Sequence, residues 1–260
     1  MQDIKRGYPI IEELNQTFHF PQNGRKRGIY VMLPHNYYTN TQRRYPVLYM
    51  HDAQNLYGYG PFGSWHIDKS LEHLTSAGLG DIIIVAIEHA AEFRIEEFMP
   101  YKHKDISGQA GKTYSEFVST ELKQTIDRQY RTLPDRKHTG MGGSSLGGLI
   151  TIYAGIMFPH IFSKLLIFSP SLWAAPRIYF DAAKYLSPCV SDIYLYAGGA
   201  ESKFMVPNTT RFKETLESQG QKSQGLTFKL SIDPSGQHNE ARWAKEFPLA
   251  LKWLFFRDKN

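Results

Sequence analysis

Gly143-Ser144-Ser145-Leu146-Gly147 is the stretch of this 260-residue chain whose residue types point most directly to chemistry. It fits GxSxG in one register only, because glycine stands two before and two after Ser145, whereas Leu146 stands two after Ser144. A serine in that pattern sits on a cramped, strained strand-to-helix turn, where larger flanking side chains would collide. It would be a nucleophile, and the helix starting at Leu146 would aim its amino-terminal dipole at negative charge developing beside it. A phosphate cradle is the competing use of such a turn. Gly140-Met141-Gly142 begins GxGxxG, but Ser145 takes the place of the third glycine. "GYGPFG", Gly58 to Gly63, does match; yet "DAQNLY" separates it from the preceding strand, and Tyr59, Pro61 and Phe62 would crowd a dinucleotide. A turn-rich loop beside a site is the better account of it.

A serine hydroxyl needs a neighbouring base, usually histidine, which an acid holds in the right tautomer. Ten histidines are present, but only His160 and His238 follow Ser145, and in α/β hydrolases the chain order is serine, acid, histidine. His160 lies in "FPHIF", just after the helix that follows the turn, with no strand end to place it. His238 lies in "DPSGQHNEARW", leaving the last predicted strand, and is the base candidate. Between Ser145 and His238 the acids are Asp181, Asp192, Glu201, Glu214, Glu217 and Asp233. Glu201 follows closely on the carboxyl end of a predicted strand in "IYLYAGGAES"; Asp192 starts that strand, and Asp233, ending the last strand, is the runner-up. Two donors must hold an oxyanion: the Leu146 N–H is one, and the other should come from "HDAQN".

These residues must be positioned by strands and helices in alternation. Strands are predicted at "NQTFHF", "KRGIYVMLP", "YPVLYMH", "DIIIVAIE", "KHTGMGG", "KLLIFSP", "DIYLYAGG" and "LTFKLSID". Helices are predicted at "DKSLEHLTSAG" with Asp68 as N-cap and Gly78 as stop, over Thr113 to Tyr130, at "LGGLITIYAGIMF", over Phe204 to Gln219, and at "EARWAKEFPLALKWLFF", disturbed at Pro248. The pattern implies an α/β fold with a mostly parallel sheet, helices on both faces and reactive groups at the carboxyl ends of strands. Length and the lack of repeats favour one domain over residues 1–260.

Composition narrows the partners. The net charge of +5 has its densest run at Arg25-Lys26-Arg27, beside a turn and outside any nucleic-acid module, so no nucleic-acid partner is expected. The single cysteine, Cys189, excludes an intrachain disulfide and a cysteine metal cage. No apolar run reaches the length of a membrane span and the start lacks a signal-peptide core, so a cytoplasmic protein is expected; a secreted chain without its signal peptide would read the same.

The chain resembles the putative-esterase family of α/β hydrolases, which includes enterochelin and other siderophore esterases, feruloyl and acetyl-xylan esterases, S-formylglutathione hydrolases and mycolyltransferases. The resemblance is carried, in the family's order, by "YPVLYMHDAQNLY", "SWHIDKSLEHL", "FRIEEFMPY", "LPDRKHTGMGGSSLGGLITIYAGIMFPHIFSKLLIFSPSLW", "LYAGGAES" and "SGQHNEARWAKEFPLALKWLF". It implies the α/β-hydrolase fold and a serine carboxylic-ester hydrolase, with Ser145 as nucleophile, Glu201 as acid and His238 as base. It implies Gln54 as the second oxyanion donor, although this chain has Asp52-Ala53 where many members have Asp-Gly. Neither metal nor organic cofactor is implied, and the partner is a small-molecule ester. "SSLGGL" and "SPSLW" look closer to the siderophore and small acyl-esterase branches than to the formylglutathione branch. Two irregular segments, Glu88 to Lys112 and Ser169 to Ser187, should shape the pocket, with Trp173 and Tyr57 as candidate walls. Arg94 is a candidate clamp for an anionic substrate, against the simpler reading of an ion pair with a nearby acid. Acyl transfer on the same scaffold and a non-catalytic binding protein are the rival functions.

Overall fold

The computed structural model describes residues 7–15, 18, 20, 26–60, 62–102, 110–185, 189–220 and 225–257. Its strands are β1 (Ile10–Glu13), β2 (Ile29–Leu33), β3 (Val47–His51), β4 (Ile83–Ile87), β5 (Thr139–Ser144), β6 (Lys164–Phe168), β7 (Ser191–Gly198) and β8 (Leu226–Asp233). They form one sheet in the order β1-β2-β4-β3-β5-β6-β7-β8. β1 and β2 pair antiparallel, as do β2 and β4, and every pairing from β4 through β8 is parallel.

The helices are α1 (Ile67–Ser76), α2 (Arg94–Phe98), α3 (Gly111–Phe117), α4 (Lys123–Gln129), α5 (Leu146–Met157), α6 (Arg177–Lys184), α7 (Met205–Gly220) and α8 (Glu240–Phe255). Successive side chains of a strand point to opposite faces, so an unbroken apolar strand must be covered twice. In β3 and β4, Val47, Tyr49, Ile83, Val85 and Ile87 enter one core, packed with residues of α3 to α7. Leu48, Met50, Ile84 and Ala86 enter the other, packed with Ile67, Leu71 and Leu74 of α1 and Trp243, Phe247 and Leu251 of α8. Parallel strands share one direction, so the carboxyl ends of β3, β5, β6, β7 and β8 lie at one edge, and the loops leaving them carry the site.

Several elements differ from the sequence reading. The first strand lies at Ile10–Glu13 rather than in Asn15 to Phe20, of which Gln16, Thr17 and His19 lie outside the described residues, while Phe18 and Phe20 are buried against Phe117. Their apolar alternation serves loop packing rather than a ladder. The N-cap of α1 is His66, and Asp68 is buried in the first turn, accepting a hydrogen bond from the Tyr8 hydroxyl at 2.5 Å. Gly78 does stop α1, with φ of 76°. The helix predicted over Thr113 to Tyr130 is broken into α3 and α4 by a π-helical turn, Val118–Leu122. Phe117 and Leu122 are both buried in the same core although an unbroken α-helix would set residues five apart at about 140° to each other, and the wider turn reconciles them. α6 falls in a stretch read as irregular. α8 runs through Pro248 and forfeits one backbone hydrogen bond there. The basic run at residues 25–27 loses Arg25 to the undescribed residues, and Arg27 is ion-paired with Glu97.

α8 matters most to the site because it begins two residues after His238. Phe247 is fully buried, its ring 6.2 Å from that of Trp65. Phe247→Ala should destabilise the fold by about 3–5 kcal/mol through the cavity it leaves, read as a lower midpoint in chemical denaturation at unchanged slope.

Candidate active site

Ser145 stands between β5 and α5 with φ 57° and ψ −121°, a conformation costly for a residue with a side chain. Its N–H donates to the Phe168 carbonyl at 3.0 Å, and its own carbonyl accepts from Leu149 and Ser171. Gly143 is necessary here, since a Cβ on it would lie 2.9 Å from the Gly147 carbonyl carbon as the chain doubles back into α5. The Ser145 hydroxyl lies 3.2 Å from that of Ser171, its one hydrogen-bond partner among the described residues.

Glu201 follows β7 and His238 follows β8, as neighbouring strands of the sheet would place them. The Glu201 carboxylate is 2% exposed and accepts three hydrogen bonds: His238 Nδ1–H to Oε2 at 2.6 Å, the Ser169 hydroxyl to Oε1 at 2.6 Å, and the Gly198 N–H to Oε1 at 2.9 Å. A buried carboxylate must be satisfied in this way. The two loops are joined by the Ala200 N–H donating to the Gly236 carbonyl at 3.0 Å. Gly198 permits that approach, because a Cβ there would lie 2.6 Å from Glu201 Oε1 and closer still to the Gly236 carbonyl. Asn239 caps α8 by accepting from the Arg242 N–H at 2.9 Å, which fixes the chain directly after His238. The His238 and Trp243 rings meet in a T-shaped contact, 4.9 Å between centroids. Asp233, the alternative acid, is engaged elsewhere: Oδ1 accepts from the Ser235 hydroxyl and N–H, and Oδ2 from Arg242. The Ser235 bonds and Arg242 hold its carboxyl below the usual range.

Ser145 and His238 line one cleft of about 450 Å³, together with Trp65, Trp243, Phe62, Ile95, Asn55, Asp52 and Arg94. That volume suits a small-molecule ligand. Leu146 opens the first turn of α5, where backbone N–H groups have no partner within the helix. Gln54 sits in the turn after β3, and its side-chain amide grips the His89 backbone from both sides, Nε2 to the carbonyl at 3.2 Å and Oε1 from the N–H at 3.1 Å. Asp52 precedes it in the left-handed region, φ 62°, its carboxylate clamped by Arg94 through Nε at 2.6 Å and Nη2 at 2.8 Å. Burial opposes the Arg94 charge, but Asp52 outweighs it and holds the guanidinium above the ordinary arginine range. Arg94 thus lines the cleft as half of an ion pair with a loop acid.

The two aromatic candidates stand apart from the cleft lining. Tyr57 packs edge-on against Tyr30 at 5.7 Å, and Trp173 is 72% exposed on the turn after β6. Trp65 and Trp243 take the wall positions instead, 5.7 Å apart, with Trp65 stacked on Phe168 at 5.3 Å. Sequence reasoning passed over both. The signal for Trp243 was its place four residues after the Asn239 cap, on the turn that faces back to His238. Of the two segments expected to shape the pocket, residues 103–109 and 186–188 lie outside the described residues, as does Pro61 of "GYGPFG"; Phe62 from that loop and His89, Ala91, Glu92, Arg94 and Ile95 from the first segment do line the cleft. Among the described residues no three His, Cys, Asp or Glu side chains gather as a metal-holding group, and no helix is long and apolar enough to cross a membrane.

Residues 21–254 match the putative-esterase family. The chain belongs to that family. Membership makes it a carboxylic ester hydrolase. The uncharacterized protein YbbA of Bacillus subtilis (strain 168) is 25% identical over 254 residues, 90% of this chain and 94% of that one. Among solved structures, the enterobactin esterase FES from Shigella flexneri, determined in the presence of enterobactin, is 18% identical with a TM-score of 0.74, covering 95% of this chain and 58% of that one. A ferulic acid esterase from Anaeromyces mucronatus in complex with ferulic acid is 17% identical with a TM-score of 0.63, covering 96% and 92%. Likeness at that level establishes the α/β-hydrolase fold.

One further group lies under the elbow. His51 ends β3, is 1% exposed, and its Nδ1 lies 2.7 Å from the Tyr114 hydroxyl. Burial lowers its pKa to about 4. The folded protein therefore binds this proton less readily than the unfolded chain. The resulting stability is complete above pH 6.5 and is lost as pH falls from 6.5 towards 4, amounting to about 3 kcal/mol. Imidazole NMR should show His51 neutral at pH 5.5, with its midpoint near 4. A midpoint near the ordinary value of about 6.5 would contradict the burial argument.

Proposed function

We propose that this esterase works through an acyl-enzyme formed on Ser145, with His238 as general base and acid and Glu201 as the residue that orients it. The observation that carries the reading is the 2.6 Å contact of Glu201 with His238 Nδ1, on a histidine that shares one cleft with the strained Ser145. Nδ1–H given to a carboxylate leaves Nε2 as the free base, the tautomer the reaction needs. Ser145 Oγ attacks the ester carbonyl as its proton passes to His238 Nε2. The tetrahedral intermediate collapses with cleavage of the bond to the alkoxy oxygen, which takes the proton from His238 and leaves as the alcohol. Water, deprotonated by His238, then attacks the acyl-enzyme, and the acid departs as Ser145 regains its proton. The Leu146 and Gln54 N–H groups are the oxyanion donors in this scheme; approach of a substrate would draw Ser145 Oγ toward His238, since such bonds commonly tighten only on binding.

For the substrate we infer an ester with a small or aromatic acyl group, siderophore-type esters included. Trp65, Trp243, Phe62 and Ile95 supply flat apolar walls in a cleft of about 450 Å³. The ionisable lining residues favour a ligand without strong negative charge: Asp52, Glu92 and Glu240 stand against Arg94, which is already paired with Asp52. Arg94 therefore acts on the loop rather than as an anion clamp.

Three measurements test the reading. Ser145→Ala should lower kcat/KM on short-chain nitrophenyl esters by about 10⁴-fold or more while leaving the fold intact, and should abolish the mass increase produced by a fluorophosphonate probe. A variant that keeps near-normal hydrolysis overturns the assignment; a wild-type chain that resists the probe points to a binding protein on the hydrolase scaffold. Across a panel, neutral short-chain and feruloyl esters should be cleaved faster than an anionic ferric catecholate trilactone, and the reverse order would overturn the charge argument.

A further inference from the structure

Two serines of the loop after β6, Ser169 and Ser171, touch the two ends of the triad from one side. Ser169 is fully buried, and its backbone is in the left-handed region with φ 46°. Its N–H donates to the Tyr196 carbonyl at 2.8 Å, tying it to β7. Its hydroxyl donates to Glu201 Oε1 at 2.6 Å and accepts the Trp243 indole N–H at 3.0 Å. Trp243 in turn rests its ring against His238 at 4.9 Å. The contacts close a ring: Trp243 holds Ser169, Ser169 holds Glu201, Glu201 holds His238, and His238 packs back on Trp243. Because the indole is donor only, the Ser169 proton has one direction left, toward the carboxylate.

Two residues on, Ser171 is 3% exposed, donates its N–H to the Ser145 carbonyl at 3.0 Å and places its hydroxyl 3.2 Å from Ser145 Oγ. Pro170 between them fixes φ and so the spacing of the two hydroxyls. The loop is itself locked to the elbow, since the Phe168 carbonyl accepts the Ser145 N–H at 3.0 Å.

We propose that Ser169-Pro170-Ser171 is a positioning clamp for the triad: Ser169 fixes the Glu201 carboxylate that aims His238, and Ser171 donates to a lone pair of Ser145 Oγ so that the nucleophile's own proton is free to turn to His238. This rests on the triad reading above. A strained left-handed serine is a costly choice for a loop that only packs, and the cost is understandable where the hydroxyl must reach a buried carboxylate. Neither serine exchanges atoms with the substrate; both act through Glu201 or Ser145.

The test is a kinetic cycle on a nitrophenyl ester, with thermal unfolding of every variant as the check on folding. Ser169→Ala should lower kcat about 10- to 100-fold, the weight of a hydrogen bond to a charged group, with KM changed less than about threefold. In a Glu201→Gln background the same change should cost less than about twofold, because its effect runs through Glu201. Trp243→Phe, which keeps the ring and drops the N–H, should reproduce part of the Ser169 loss, and serves where Ser169→Ala does not fold. Ser171→Ala should slow both turnover and fluorophosphonate labelling about 10-fold, and Ser171→Thr should recover most of it. Unchanged kcat in Ser169→Ala, an equal loss with and without Glu201, or a Ser171→Thr variant no better than Ser171→Ala would overturn the clamp while wild-type hydrolysis leaves the triad reading standing. A wild type inert toward both ester and probe would overturn the triad reading and the clamp together.

Discussion

A carboxylate taken out of water is tolerated only if nearly every lone pair finds a donor, and the buried carboxylate of Glu201 organises the carboxyl edge of the parallel strands around that demand. Its three donors come from the end of β7, the loop after β6 and the loop after β8. No one element could supply them. Parallel pairing of β6, β7 and β8 makes these loops neighbours, and the close approach at Gly198 and Gly236 brings the last of them within reach. Withdrawing any one donor would strand charge in the interior, so the loops are held by the acid as much as the acid is held by them.

The elbow is the second costly feature, and it is stabilised differently. Ser145 gains nothing locally from φ of 57°; what keeps it there is β5 on one side, paired in register with β3 and β6, and α5 on the other, buried along nearly its whole length. Backbone bonds to Phe168, Leu149 and Ser171 close the remaining freedom. Core packing thus holds strain at the residue proposed as the nucleophile.

Most of this order is legible in the amino-acid sequence. Apolar β-branched runs marked the central strands because double burial leaves them no polar face, and the serine, acid, histidine order at strand ends singled out Ser145, Glu201 and His238. What escaped was side-chain direction in irregular segments. Trp173 and Tyr57 carry the right chemistry near the right loops, yet their rings turn to solvent and to Tyr30, and nothing in residue type foretells that. Ser169 and Ser171 were visible only as a family motif, because a serine in a loop is unremarkable until a carboxylate and a nucleophile are known to stand beside it. Asp68 looked like a cap and is a buried partner of Tyr8, a contact 60 positions distant that no local pattern encodes. The apolar spacing of Phe117 and Leu122 pointed to a shared face, but the π-helical turn between α3 and α4 that delivers it was hidden, since a straight α-helix sets residues five apart on different faces.

The pairing of Asp52 with Arg94 carries the electrostatics of the proposed oxyanion position. A Cβ on Gly147 would stand 3.1 Å from Asp52 Oδ2, so this carboxylate lies against the first turn of α5. A carboxylate is attracted to that helix end for the same reason an oxyanion is, and an unpaired one would compete with the oxyanion and repel it. Arg94 removes the difficulty by meeting both carboxylate oxygens with two parallel bonds, a geometry that lysine cannot match. The loop keeps its left-handed Asp52 and the grip of Gln54 on His89, while the helix end faces a neutral pair. His51, buried and uncharged beneath the same turn, leaves that balance undisturbed down to acid pH. Beside Ser145, then, the Asp52 charge is cancelled in place, and in the proposed scheme the helix dipole and backbone N–H groups remain to answer charge that appears only as the ester carbonyl is attacked.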